Sequence, residues 1–169
     1  EPLADDELAC EEPLEIRLSG DTLAVTMRTP GDDARLALGF LLAEGLIRSA
    51  ADIGKIAVCG RPGTEEYGNV IDVQPAPGLV IDVERAAAQR RGTLTTAACG
   101  TCGRKTIDDL MALCSPLPPE AGSFARHQLH EAMGALRRAQ STFSKTGGTH
   151  AAGAYAGDGT LLAHAEDVG

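Results

Sequence analysis

The chain has 169 residues, of which 43% are hydrophobic and 3% aromatic, with no Trp and a formal net charge of −9. That length holds one well-packed domain or two small lobes. The apolar content excludes a disordered chain, and the acidity argues against bulk attraction to nucleic acid or anionic lipid. So few aromatics leave no stacking platform for single-stranded bases. The apolar run 36–47 is interrupted by Gly39, Glu44 and Gly45, which makes it too short and too polar to cross a bilayer. No basic-then-apolar segment opens the chain, so no secretory signal is read. Five cysteines are an odd number without framework spacing, which points to a reducing cytoplasm and away from a disulfide-built module.

Residues 14–18 alternate apolar and polar, Ser19-Gly20-Asp21 supplies turn chemistry, and 23–27 alternate again. This predicts a β-hairpin. Thr29 then suits an N-cap and Pro30 the first helical position, with Asp32 and Asp33 at the positive end of the dipole. The helix is expected to run to about Arg48, with Leu36, Phe40, Ala43 and Ile47 on one face. Segments 53–59, 69–73 and 80–83 read as strands. Residues 86–103 hold no sustained hydrophobic period and read as an exposed loop. A helix at 106–114 is closed by the Pro-rich break 115–119, and a long helix fits 125–143. Strands at 150–155 and 161–165 are joined by Gly157-Asp158-Gly159. The order predicts a mixed α/β fold, a mixed sheet with flanking helices. It divides into an N-terminal α/β lobe (1–96), a mobile cysteine loop (97–105) and a C-terminal lobe (106–169).

The strongest chemical feature is Cys99-Gly100-Thr101-Cys102-Gly103. Two thiols at this spacing can meet each other, one metal ion or one sulfur atom. Arg104, Lys105 and the coming helix N-terminus all favour thiolate over thiol. A thiolate on a mobile loop suits persulfide chemistry, in which it attacks a carried sulfur, holds it and passes it on. Two other readings stay open. Half of a zinc site is one, although Cys10, Cys59 and Cys114 form no second close pair and read as small buried hydrophobes. A thioredoxin-like redox pair is the other, although the usual βαβ setting is missing.

Thr146-Gly147-Gly148-Thr149-His150 can turn backbone amides, two hydroxyls and a ring N–H toward an anion. The plainer alternative is a tight turn before a strand. His164-Ala165-Glu166 is half the signature of zinc nucleobase deaminases, but the only Cys-x-x-Cys lies upstream. Arg28 beside Thr29-Pro30 places a cation at a helix start, where phosphate can bind, or is simply a strand-end charge. His127 and His130 lie three apart on one helix and read as surface residues. No Walker or dinucleotide fingerprint is present.

Taken in order, Glu12-Pro13-Leu14, Met27-Arg28-Thr29-Pro30-Gly31 leading to Leu36 through Gly45, the Cys99–Cys102 loop, Thr146 through Ala152, and Glu166-Asp167-Val168-Gly169 resemble the FdhD family of formate dehydrogenase accessory sulfurtransferases. The resemblance implies an enzyme with a cysteine persulfide on Cys99 or Cys102. It would take sulfur from a cysteine desulfurase and pass it to the bis-molybdopterin guanine dinucleotide cofactor, for formate dehydrogenase. It implies a cytidine-deaminase-like C-terminal core, with His164-Ala165-Glu166 an echo of that fold. It also implies a cytoplasmic homodimer, no structural metal, and no nucleic-acid or membrane partner. The GDP-like end of the cofactor would be held by Arg28, Thr29, Thr146, Gly147, Gly148, His150, Glu166 and Asp167. A non-enzymatic carrier of the same cofactor is the alternative. In the family the Glu-Asp-Val-Gly block continues into Arg-His-Asn and a helical region, so a truncated chain is expected.

Overall fold

The computed structural model describes residues 6–60, 62–64, 67–81, 111 and 124–168. The chain divides into two compact units, one of Glu12–Ser115 and one of Glu1–Glu11 with Pro116–Gly169. The expected cysteine loop 97–105, the helix at 106–114 (Met111 apart) and the break at 115–119 lie outside the described residues. Both units mix helix and strand, as the element order predicts.

The first unit is built on a four-stranded mixed sheet in the order β2-β1-β4-β3. Strands β1 (Glu12–Leu18) and β2 (Asp21–Arg28) form the expected hairpin. Its two loop residues, Ser19 and Gly20, sit at φ 53° and 92°, the left-handed pair that matches the twist of a two-residue hairpin. Asp72 Oδ1 accepts the Gly20 N–H at 2.8 Å and holds the turn. Strand β4 (Val70–Pro75) pairs parallel to β1 and antiparallel to β3 (Ile53–Cys59). Period-two alternation sends Leu14, Ile16 and Leu18 inward from β1, where they meet Leu23, Ile71 and Val73. Helix α1 (Asp33–Ala43) covers this face with Ala37 and Leu41. Burying one such side chain is worth roughly 1.5–3 kcal/mol.

Helix α1 is shorter than the 29–48 pattern suggests, and its cap is Asp32, not Thr29. Gly31 at φ 134° is not helical, so Pro30-Gly31 stays outside. At the other end Gly45 turns left-handed at φ 69°. Its N–H donates to Leu42 O and that of Leu46 to Leu41 O, the two bonds of a Schellman stop. Ile47 therefore reaches the core from beyond the helix, and Leu36 and Phe40 lie only at the edge of the cluster. The strand expected at 80–83 is not formed at Val80 and Ile81. A turn closed by Leu79 N–H on Ala76 O, with Gly78 at φ 85°, leads the chain off the sheet and leaves Val80 91% exposed.

The second unit contains α2 (Arg126–Ala139), α3 (Ser141–Thr146), β5 (His150–Tyr155) and β6 (Leu161–Asp167). Strands β5 and β6 form an antiparallel hairpin. Its turn is fixed by Gly159 N–H on Ala156 O and Thr160 N–H on Asp158 Oδ1, both at 2.9 Å. Helix α2 packs on the hairpin, with Tyr155 Oη donating to Ala132 O at 2.6 Å. A Cβ at Gly153 would meet Tyr155 Cε2 at 2.9 Å and Leu136 Cδ1 at 3.2 Å, so this glycine makes room for the Tyr155 ring and for the helix. The single helix expected at 125–143 is two. Gln140, at φ −77° and ψ 83°, breaks it. No helix among the described residues is long and apolar enough to cross a membrane.

Candidate functional site

Arg28 closes β2 with its side chain 2% exposed. Alternation puts it on the inward face with Ala24 and Thr26, where a cation survives only if its donors are met. They are met by four neighbours. Nε donates to Asp33 Oδ1 at 2.7 Å, and Nη1 to Glu12 Oε2 at 3.5 Å. Nη2 donates to Gly68 O and Asn69 Oδ1, each at 3.0 Å. The guanidinium thus ties the starts of β1 and α1 to the loop before β4. Thr29 beside it is half-buried.

The second group of site residues surrounds Glu166 on β6. Glu166 Oε2 accepts the Phe143 N–H at 2.7 Å and the Thr149 hydroxyl at 3.0 Å. Oε1 accepts the Thr142 N–H at 3.0 Å and the Ser141 hydroxyl at 3.5 Å. The carboxylate is therefore the N-terminal cap of α3, delivered from another strand. These donors explain why the helix pattern restarts after Gln140. Burial pushes the Glu166 carboxyl up. The amides of Phe143 and Thr142, the Thr149 hydroxyl and the Ser141 amide outweigh it, and the net shift is below the usual carboxylate value.

The far end of α3 is the Thr-Gly-Gly-Thr-His turn. Gly147 is left-handed at φ 66°, and its N–H donates to Phe143 O at 2.8 Å. Thr146 Oγ1 donates to Thr142 O at 2.9 Å and accepts the Gly148 N–H at 3.1 Å. Both glycine amides that the sequence offers to an anion thus have partners inside the turn. Thr149 is buried, whereas Gly148 and His150 are exposed. His150 pairs across the hairpin with Asp167, whose Oδ1 accepts the Val168 N–H at 2.7 Å.

The second unit thus gathers Thr146, Gly147, Gly148, His150, Glu166 and Asp167 around α3 and the start of the hairpin. Arg28 and Thr29 belong to the first unit. Cys99 and Cys102 lie outside the described residues. Cys10, read as a small buried hydrophobe, is exposed because it precedes β1 in a segment without regular structure; Cys59 is half-buried at the end of β3. Among the described residues no cluster of three or more His, Cys, Asp or Glu side chains is placed to hold a metal ion. Sequence reasoning missed the partners Glu12, Asp33 and Asn69 of Arg28, and the capping role of Glu166. An arginine on the inward face of a strand, followed five residues on by an acid, was the available signal for the first.

A family model described as the FdhD/NarQ family matches residues 9–169. The chain is 54% identical over 165 residues to the "Sulfur carrier protein FdhD" of Anaeromyxobacter dehalogenans, covering 97% of this chain and 57% of that protein. It is 44% identical to the protein of the same description from Nocardia farcinica, again over 97% of this chain and 57% of that one. The chain therefore spans little more than half the length of these relatives. Its structure resembles the crystal structure of a putative formate dehydrogenase accessory protein from Desulfotalea psychrophila. The TM-score is 0.64 at 22% identity, over 98% of this chain and 55% of that one. That likeness supports the mixed α/β fold.

Proposed function

We propose that this chain, which belongs to the FdhD/NarQ family, carries sulfur for the maturation of formate dehydrogenase, as a persulfide on its Cys99/Cys102 pair. The observation that carries the reading is the match over residues 9–169 to relatives described as sulfur carriers, in a chain whose only Cys-x-x-Cys is Cys99-Gly100-Thr101-Cys102. In the loading step a cysteine thiolate attacks the terminal sulfur of a desulfurase persulfide. A new S–S bond forms on this chain, the donor's S–S bond breaks, and the donor leaves as a thiolate. The electrons balance without an external oxidant.

The acceptor in this reading is the bis-molybdopterin guanine dinucleotide cofactor, bound as substrate, and the working state is a cytoplasmic homodimer. Support for a nucleotide-facing role is strongest at His150, which is exposed at the start of β5 just beyond the turn that follows α3. It is weakest at Arg28, whose guanidinium already has four protein partners. Incubating the protein with a cysteine desulfurase and cysteine, followed by intact mass measurement, tests the proposal. Sulfur uptake that disappears when both Cys99 and Cys102 are replaced by Ala is the expected result. Uptake that survives the double replacement overturns it.

A further inference from the structure

We infer that Glu166 is a positioning residue, whose carboxylate latches both ends of the 146–149 turn and so sets how Gly148 and His150 are presented. The inference rests on the proposed nucleotide-facing role of that turn, and it removes Glu166 from the residues that touch the ligand. The argument is the closure of the hydrogen bonds. Phe143 donates its N–H to Glu166 Oε2 at 2.7 Å, and its carbonyl accepts the Gly147 N–H at 2.8 Å. Thr142 donates its N–H to Glu166 Oε1 at 3.0 Å, and its carbonyl accepts the Thr146 hydroxyl at 2.9 Å. The same hydroxyl oxygen receives the Gly148 N–H. Beyond the glycines, the Thr149 hydroxyl returns to Glu166 Oε2 at 3.0 Å. The 142–143 peptide group thus relays the carboxylate to the Thr146 hydroxyl and Gly148, the next carbonyl holds Gly147, and the Thr149 hydroxyl reaches the carboxylate from the other side.

All arms donate toward the carboxylate, and along the arm from Gly148 N–H through the Thr146 hydroxyl and the Thr142–Phe143 peptide each bond strengthens the next. The six residues of α3 need these bonds, because a helix of that length does not hold itself in water. Glutamine fits the space of Glu166 but turns an NH₂ group toward amide and hydroxyl donors, so part of this network must open. Four donors already fill the roughly four lone-pair sites of the carboxylate, leaving none for the base N–H or ribose O–H donors of a nucleotide, which is why its role is one of placement.

The test compares the native protein with Glu166→Gln and Thr149→Val, using GDP as the probe. Calorimetry gives the affinity, and amide hydrogen exchange is followed at Gly147 and Gly148, with Ile71 in the other unit's core as the control. Glu166→Gln is expected to raise exchange at both glycines and weaken GDP by about tenfold, the scale of a lost cap, with Ile71 unchanged. The Phe143 amide proton resonance should move upfield as its carboxylate acceptor is lost. Thr149→Val removes one arm only and should show the same effects in smaller measure; it also serves if Glu166→Gln does not fold. Unchanged exchange at Gly147 and Gly148 overturns the latch, whatever GDP does. Faster exchange with undiminished GDP affinity overturns the link between latch and ligand. If the native protein ignores GDP, the nucleotide reading fails, and the exchange measurement still decides the latch.

Discussion

Arg28 Nε donates to Asp33 Oδ1 at 2.7 Å, which joins the last residue of β2 to the first residue of α1. The bond draws Arg28, at the head of a surface-looking Arg-Thr-Pro-Gly stretch, into the interior of the first unit, while Pro30 and Gly31 stay exposed. Arg28→Met is expected to destabilise the protein by about 3 kcal/mol, because it leaves Asp33 partly buried without its cation and removes the donors to Gly68 O and Asn69. Arg28→Lys should recover only part of this, since three donors on a single nitrogen cannot span the acceptors that lie around three guanidinium nitrogens. Urea unfolding measures both. A fully stable Arg28→Met that loses only nucleotide affinity would reverse the structural assignment.

Gly54 lies in β3, where a Cβ would stand 2.8 Å from Pro75 O and 3.2 Å from Ala76 Cα. Both are backbone atoms of the paired segment, so no flexible side chain can yield. The register shift of β3 falls at the same place, between Ile53 and Lys55. Gly54→Ala is expected to cost about 2 kcal/mol, in the range found for overpacking. Gly39 on α1 is the contrast: a Cβ there would meet nothing within 4 Å, and its backbone is helical, so Gly39→Ala should stabilise by about 0.5–1 kcal/mol. Thermal unfolding of the two variants checks the opposite signs.

The parts legible in the sequence are those governed by neighbours along the chain. The first hairpin was readable because period two and Ser19-Gly20 agree. Strand β3 was readable to its ends because an apolar run is bounded by Asp52 and Gly60. The end of α1 was overrun because Leu46 and Ile47 continue the apolar pattern, while Gly45 redirects the backbone that carries them. The split between α2 and α3 was not readable, since the group that caps α3 lies 23 residues from Phe143 in sequence. The same limit applies to the candidate site. The residue types of Thr146 through His150 mark the turn in the sequence. That its glycine amides are engaged within the turn depends on Thr142 and Phe143 being helical. The parallel pairing of β1 with β4 bridges more than fifty residues of chain and leaves no local trace.

Acid should weaken the fold through Glu166 and Glu15. Both carboxyls lie below the ordinary value of 4.5. For Glu15 the causes are the Arg17 hydrogen bond first and the Thr22 hydroxyl second, with burial opposing them. A carboxyl with a lowered folded pKa contributes stability that is fully present above its unfolded pKa. The contribution is lost as pH falls from the unfolded value through the folded one. Urea midpoints should therefore decline as pH drops below about 4.5. Glu166→Gln and Glu15→Gln should each flatten the decline while lowering stability at neutral pH. A slope that is identical in native protein and both variants would remove these two groups as its source.

The Cys99/Cys102 pair should divide its labour, with Cys99 taking the sulfur first. Cys102 is nearer in sequence to Arg104, Lys105 and the helix expected from 106, and positive neighbours favour thiolate over thiol. A lower pKa also weakens the nucleophile, and attack on a persulfide is best made by a thiol that titrates near ambient pH. Cys99, farther along the chain from those charges, is expected to make the attack if the pair carries sulfur as proposed, and Cys102 would then engage the bound sulfur to assist its release. Cys99→Ala and Cys102→Ala, each incubated with a desulfurase and cysteine and then weighed, separate the roles. Cys102→Ala should gain about 32 Da, one sulfur atom on the remaining thiol, and Cys99→Ala should not. If Cys99→Ala is the variant that gains the mass, the order of the two cysteines is reversed.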